Sequence, residues 1–219
     1  MKKTIQLLLL VVGMLFACPV ANAQNMKKEL KKEYKKKIKE FSKEGWAIYG
    51  STRSIEVALL KHYDKLNENE NAFEIVGTAT AFKSKNVGKQ VALNNACNYY
   101  ARQAGSHVKG RVVGDMANNA DDTSAEFDHF YAAYESLVEK EIKGEMKESF
   151  SVIRETGKEK KTGAPIFEMQ TFYIIDEDAA SEARIRAFEN AMRESAAAQK
   201  HAEMVSNFIK EGFELSGEE

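Results

Sequence analysis

At 219 residues the chain is long enough for one domain with a substantial core, and it does not require two. Its 32 basic and 33 acidic residues give a formal charge of −1, a balance that excludes a general attraction to nucleic acid. Only two prolines among 30% charged residues describe a helix-rich, ordered protein, not a low-complexity one.

The first 23 residues read as an export signal. Lys2 and Lys3 form a positive start, Ile5 to Ala17 an apolar stretch too short to span a bilayer, and Ala21-Asn22-Ala23 the small residues a signal peptidase requires. Cleavage after Ala23 leaves 196 residues, with 30 basic and 33 acidic, and Cys97 as the only cysteine. No intramolecular disulfide can then form, even in a compartment that permits one. The same stretch holds a second signal, "LFAC", in which Cys18 is a candidate for lipidation and membrane tethering. Phe16 is bulky and Pro19 follows the cysteine awkwardly, so cleavage after Ala23 is the favoured reading. On either route the protein leaves the cytoplasm for the periplasm or cell envelope, with an outer-membrane lipoprotein through Cys18 as the alternative.

Residues 24–45 carry the near-tetrad run "KKEL KKEY KKKI KEF". Leu30, Tyr34, Ile38 and Phe41 recur at helical spacing, giving one narrow apolar stripe on a lysine-covered helix. Such a stripe contacts a membrane surface or a partner in one reading, and packs on the domain in the other. Gly45 ends the helix and "WAIYG" follows as a short strand. A second helix starts at the N-cap Ser54 with Ile55, Leu59, His62 and Leu66 on one stripe. His62 reads as a packed, hydrogen-bonded core side chain, because no second metal ligand accompanies it.

"NAFEIVGTATAF", residues 71–82, is the clearest strand. Phe73, Ile75, Gly77, Ala79 and Ala81 form a shallow face that lets a helix lie close. A helix over about residues 85–105 follows, with Leu93, Cys97, Tyr100 and Ala104 on one stripe, so Cys97 is expected to be a buried thiol. The glycines and Asn/Asp cluster of "KGRVVGDMANNADDTS" predict a loop, with a short strand at Arg111–Val113. Asp115, Asp121 and Asp122 lack the spacing of a calcium loop. Phe127, Phe130, Tyr131, Tyr134, Leu137, Val138 and Ile142 mark a strong amphipathic helix. "EMKESFSVIRE" and "IFEMQTFYII" then form a hairpin joined by "TGKEKKTGAP", at the centre or the edge of the sheet. Asp176 to Asp178 open a last helix that continues through Ile185, Phe188 and Met192 to Gly212. Residues 46–219 therefore read as a single α+β domain, an antiparallel sheet with several amphipathic helices packed on it.

The chain contains no Gly-x-Ser-x-Gly, phosphate-binding glycine loop, dinucleotide fingerprint, His-Glu-x-x-His or paired cysteines. No catalytic residue, cofactor or metal is assigned. The order of strand, "KQVALNNACNYYARQAG" helix, second helix, charged hairpin and "DEDAASEARIRAFENA" resembles a group of small bacterial envelope proteins over about residues 72–200. These are the lipoprotein family of about twenty kilodaltons and the related N-terminal domain of flagellar assembly protein T. The resemblance implies helices on an antiparallel sheet, no catalytic residues to transfer, and a place on or near the outer membrane. The segment "GWAIYGSTRSIEVALLKHYDKL" and the weak lipid signal at Cys18 depart from it. The expected role is that of a non-enzymatic exported envelope protein, binding another envelope protein or a cell-wall component, with no nucleic acid partner. The alternatives are an exported enzyme of unrecognised type, and a membrane-surface protein held by its basic N-terminal helix.

Overall fold

The computed structural model describes residues 18–116 and 124–193, the side chains of 18–27, 29, 110–116 and 124–127 excepted. The chain divides into two compact units between Trp46 and Ala47. In the first, α1 (Cys18–Glu44) is one continuous helix. It ends where Gly45 takes φ +74°, a conformation costly for any residue with a Cβ. Trp46 returns its backbone N–H to the Phe41 carbonyl at 3.0 Å and sets its ring edge-on to Phe41.

The second unit is α+β. Its sheet contains β1 (Ala47–Tyr49), β2 (Ala72–Phe82), β3 (Lys147–Lys158) and β4 (Pro165–Asp176), antiparallel throughout in the order β1-β3-β4-β2. The β3–β4 hairpin is therefore the centre of the sheet, a point the sequence leaves open. Both strands run further than the alternating pattern suggests, so the connection shrinks to 159–164. There Gly163 at φ +70° and bonds between Glu159 and both Gly163 and Ala164 close a tight turn.

Helices cover both faces of the sheet. On one lies α2 (Ile55–Glu68), capped by the Ser54 hydroxyl, which accepts from the Val57 N–H at 3.4 Å. It lays His62 edge-on to Phe150 of β3 and Phe172 of β4. Those two rings are stacked across the hairpin at 4.4 Å, a cross-strand contact worth about 1 kcal/mol beyond its burial.

On the opposite face α3 (Lys85–Met116) runs along β2 and β4, backed by α4 (Ser124–Glu145) and α5 (Glu177–Arg193). Gly77 makes this possible: a Cβ there would lie 2.0 Å from the Ala92 carbonyl oxygen. Helix and sheet thus meet backbone to backbone at this point. The core between these helices and the sheet joins Ile75, Tyr173 and Ile175 to Cys97, Tyr100 and Ala104 of α3, to Phe130, Tyr134 and Ile142 of α4, and to the alanine stripe of α5.

Two sequence expectations are corrected. Residues 109–116 are not a loop with a strand at Arg111–Val113; α3 continues to Met116, and Asp115 lies in it, whereas Asp121 and Asp122 lie outside the described residues. The helix persists because Gly105 is the point where α4 comes close, a Cβ there meeting Glu135 at 2.3 Å, and Val108 is buried in the shared core. Packing on α4 overrides the weak helix propensity of the glycines. Ala81 is not on the inner face. A bulge between Ala79 and Phe82 puts Ala81 at φ +56° and outward, and Phe82 takes the buried position.

Candidate functional site

Leu30, Tyr34, Ile38 and Phe41 lie four, four and three residues apart on α1, along one side of the helix. Lys37 sits 5.3 Å above the Phe41 ring and 3.2 Å from Glu40, so part of the basic surface is held locally. Cys18 opens α1 and Ala23 lies in its second turn; residues 1–17 of the export signal lie outside the described residues. Among the described residues no helix is long and apolar enough to cross a membrane.

Three buried polar clusters decide what chemistry the domain can host. His62 is fully buried on α2, with Nε2 2.5 Å from Glu74 Oε2 of β2. The carboxylate satisfies one ring nitrogen while the aromatic rings pack against the rest, as the sequence reading of a packed core histidine requires. Ser151 and Thr171, both fully buried, pair across β3 and β4 at 3.0 Å, and Ser151 Oγ lies 2.8 Å from Glu148 Oε1. A hydroxyl has one hydrogen, so Ser151 donates to the carboxylate and accepts from Thr171. Lys89 of α3 closes this chain on the solvent side, 2.9 Å from Glu148. The Ser151 oxygen, at zero exposure, pins β3 to β4 beneath α3 and is out of reach of a substrate.

Sequence reasoning missed the Ser151–Thr171 pair, and it missed the third cluster as well. Arg184 of α5 is only 1% exposed, and its guanidinium donates to the Tyr100 hydroxyl and to Glu177 Oε1, each at 2.5 Å. Glu177 and Tyr100 hold its charge firmly despite burial. Burial in turn pushes the Tyr100 hydroxyl up to about 12, against the pull of Arg184. The signal was present in the sequence: Arg184 falls on the stripe of Ala180, Ala183, Ala187 and Ala191, small neighbours that leave room for a long side chain. Asp176 caps α5 by accepting from the backbone N–H groups of Asp178 and Ala179 and from the Asn69 amide. Those bonds hold its carboxyl below the usual range, the Ala179 bond foremost.

Cys97 is buried, 3.6 Å from the Met146 sulfur, and desolvation raises its thiol to about 11. A thiol so protonated is a packing group, not a nucleophile. His107 and His129 are exposed on α3 and α4, and His201 lies outside the described residues. Among the described residues no group of three or more His, Cys, Asp or Glu is placed to hold a metal ion.

What α3 offers to solvent is different. Val87, Val91 and Tyr99 are 55%, 38% and 57% exposed, with Val91 one turn beyond Val87 and Tyr99 two turns further. Gln103 donates to the Tyr99 hydroxyl at 2.9 Å and Gln90 to Asn94 at 2.9 Å. The result is a shallow surface of apolar and amide side chains on the helix whose other side builds the core. Comparison with protein-family models, with curated proteins and with solved structures finds no match for this chain.

Proposed function

We propose that this is an exported cell-envelope protein that binds another envelope protein or a cell-wall component through the outer surface of α3. The observation that carries the reading is the exposed set Val87, Val91 and Tyr99. Apolar and aromatic side chains left in solvent along a rigid helix are the usual anchors of a protein interface. Export rests on the positive start, short apolar stretch and small residues of the first 23 positions. The order β2-α3-α4-β3-β4-α5 is the one that resembles the envelope lipoprotein family, and it supports the same compartment.

A photo-crosslinking residue in place of Tyr99 tests the interface in the producing cell. The expected result is a discrete adduct in the envelope fraction that disappears when Val87 and Val91 are changed to lysine. An adduct pattern indifferent to those changes contradicts this use of α3.

A further inference from the structure

One end of the sheet gathers five exposed lysines. The end of β3 and the hairpin turn supply Lys158, Lys160 and Lys161, and the corner between β2 and α3 supplies Lys83 and Lys85. The two segments are tied together by Lys83, which reaches Glu159 at 2.5 Å. Lys85 lies 5.0 Å above the Phe167 ring of β4. The acids in these segments are Glu159, shared between Lys83 and Thr162, and Glu155. Their two charges leave an excess of three positive charges at the tip. The N-terminus of the long helix α3 lies at the same corner and adds its partial positive charge. Exposed Val87 follows within its first turn.

We infer that this tip docks on the surface of a membrane rich in anionic lipid. The chemistry favours a charged plane over a discrete anion. Every cation is a lysine on a flexible stem, with no arginine fork to fix a phosphate or carboxylate in one geometry. The charges are spread over a projecting turn and a corner instead of converging on one point. Val87 provides an apolar group for the headgroup boundary, beside lysines whose stems can lie along the same surface. The tip's lysines are other residues than those beside the α1 stripe, and the tip shares only Val87 with the α3 surface, so changes at the hairpin lysines test it apart from the partner of α3.

Each lysine near an anionic surface strengthens binding by about five-fold, so neutralising three should weaken it roughly a hundredfold. The test is co-sedimentation of the full mature chain with phosphatidylcholine vesicles, with and without phosphatidylglycerol, at low and high salt. The variants are Lys158→Gln/Lys160→Gln/Lys161→Gln and, on α1, Lys31→Gln/Lys35→Gln/Lys39→Gln; circular dichroism checks that both fold. The expected result is binding to phosphatidylglycerol vesicles alone, weakened by salt and reduced roughly a hundredfold in the hairpin variant. Equal binding of the hairpin variant and the unaltered chain overturns the inference, as does equal binding to neutral vesicles. Retention on a soluble polyanion such as heparin with no vesicle binding also overturns it, and assigns the tip to an acidic polymer.

Discussion

Replacing Gly77 by alanine strikes at the contact that sets the distance between sheet and helix. The added Cβ would stand 2.0 Å from the Ala92 oxygen, 2.8 Å from the Ala92 carbonyl carbon and 3.1 Å from the Ala96 Cβ. An ordinary non-bonded separation is about 3.5 Å, so α3 must withdraw by about 1.5 Å, and the obstacle is backbone that no rotamer change can move. Overpacking of this kind costs about 3 kcal/mol, the upper end of its usual range. Alanine recovers about 0.5–1 kcal/mol of that by restricting the unfolded chain. The net expectation is a loss of about 2 kcal/mol, read as a fall of about 1 M in the urea midpoint. Gly144→Ala is the matched control, because nothing lies within 4 Å of its added Cβ; in a helix it should gain about 0.5 kcal/mol. If Gly77→Ala unfolds at the same urea concentration as the unaltered chain, or higher, α3 does not lie against β2 as described.

Removing Glu177 strands the buried Arg184 guanidinium. Glu177→Ala should cost about 2–3 kcal/mol by urea unfolding, somewhat less than a fully buried pair because the carboxylate is partly solvated. Tyr100→Phe, which removes one neutral acceptor, should cost about 1–2 kcal/mol, and together the two changes should cost more than their sum if they serve the same guanidinium. Alkaline pH should unfold the domain. Burial raises the Cys97 thiol to about 11 and the hydroxyls of Tyr100 and Tyr131 to about 12, and lifts Tyr134 and Tyr173 further. The folded state thus holds protons that the unfolded chain gives up first, at ordinary values of about 8.5 for the thiol and about 10 for tyrosine. Stability is therefore full below about pH 8 and falls as pH rises through the window up to about 12, by as much as about 1.4 kcal/mol per unit for each group. Denaturant midpoints measured across that range check the sign. In the native protein at pH 8, Ellman's reagent should leave Cys97 almost unreacted, and denaturant should release it.

The elements that sequence periodicity located share one property: their apolar residues face a single neighbour. The stripe of Ile55, Leu59 and His62, the alternation of Phe73 to Ala79, and the aromatic face of α4 each repeat at the period of the element they build. Reading failed where a distant neighbour changed the local preference. Glycine-rich residues 105–116 stay helical because α4 packs against them, and Ala81 turns outward because a bulge transfers its place to Phe82. The buried polar clusters were harder still. A histidine on an apolar stripe announces itself, but the partners Glu74 and His62 are brought together only by α2 crossing the sheet. Arg184 and Tyr100 are 84 positions apart, and no local pattern in the sequence links them. The exposed surface of α3 was not legible either, because the same valines and tyrosines serve equally well as core until the fold shows which side is covered.

Export is the central claim, and the mature N-terminus tests it most directly. Mass spectrometry of the chain produced in a Gram-negative host competent for lipoprotein processing should find a first residue at Gln24 in the periplasmic fraction. An acylated Cys18 in the membrane fraction would keep the envelope role and replace the soluble form with a tethered one. A cytoplasmic chain still carrying Met1 to Ala23 would contradict the account.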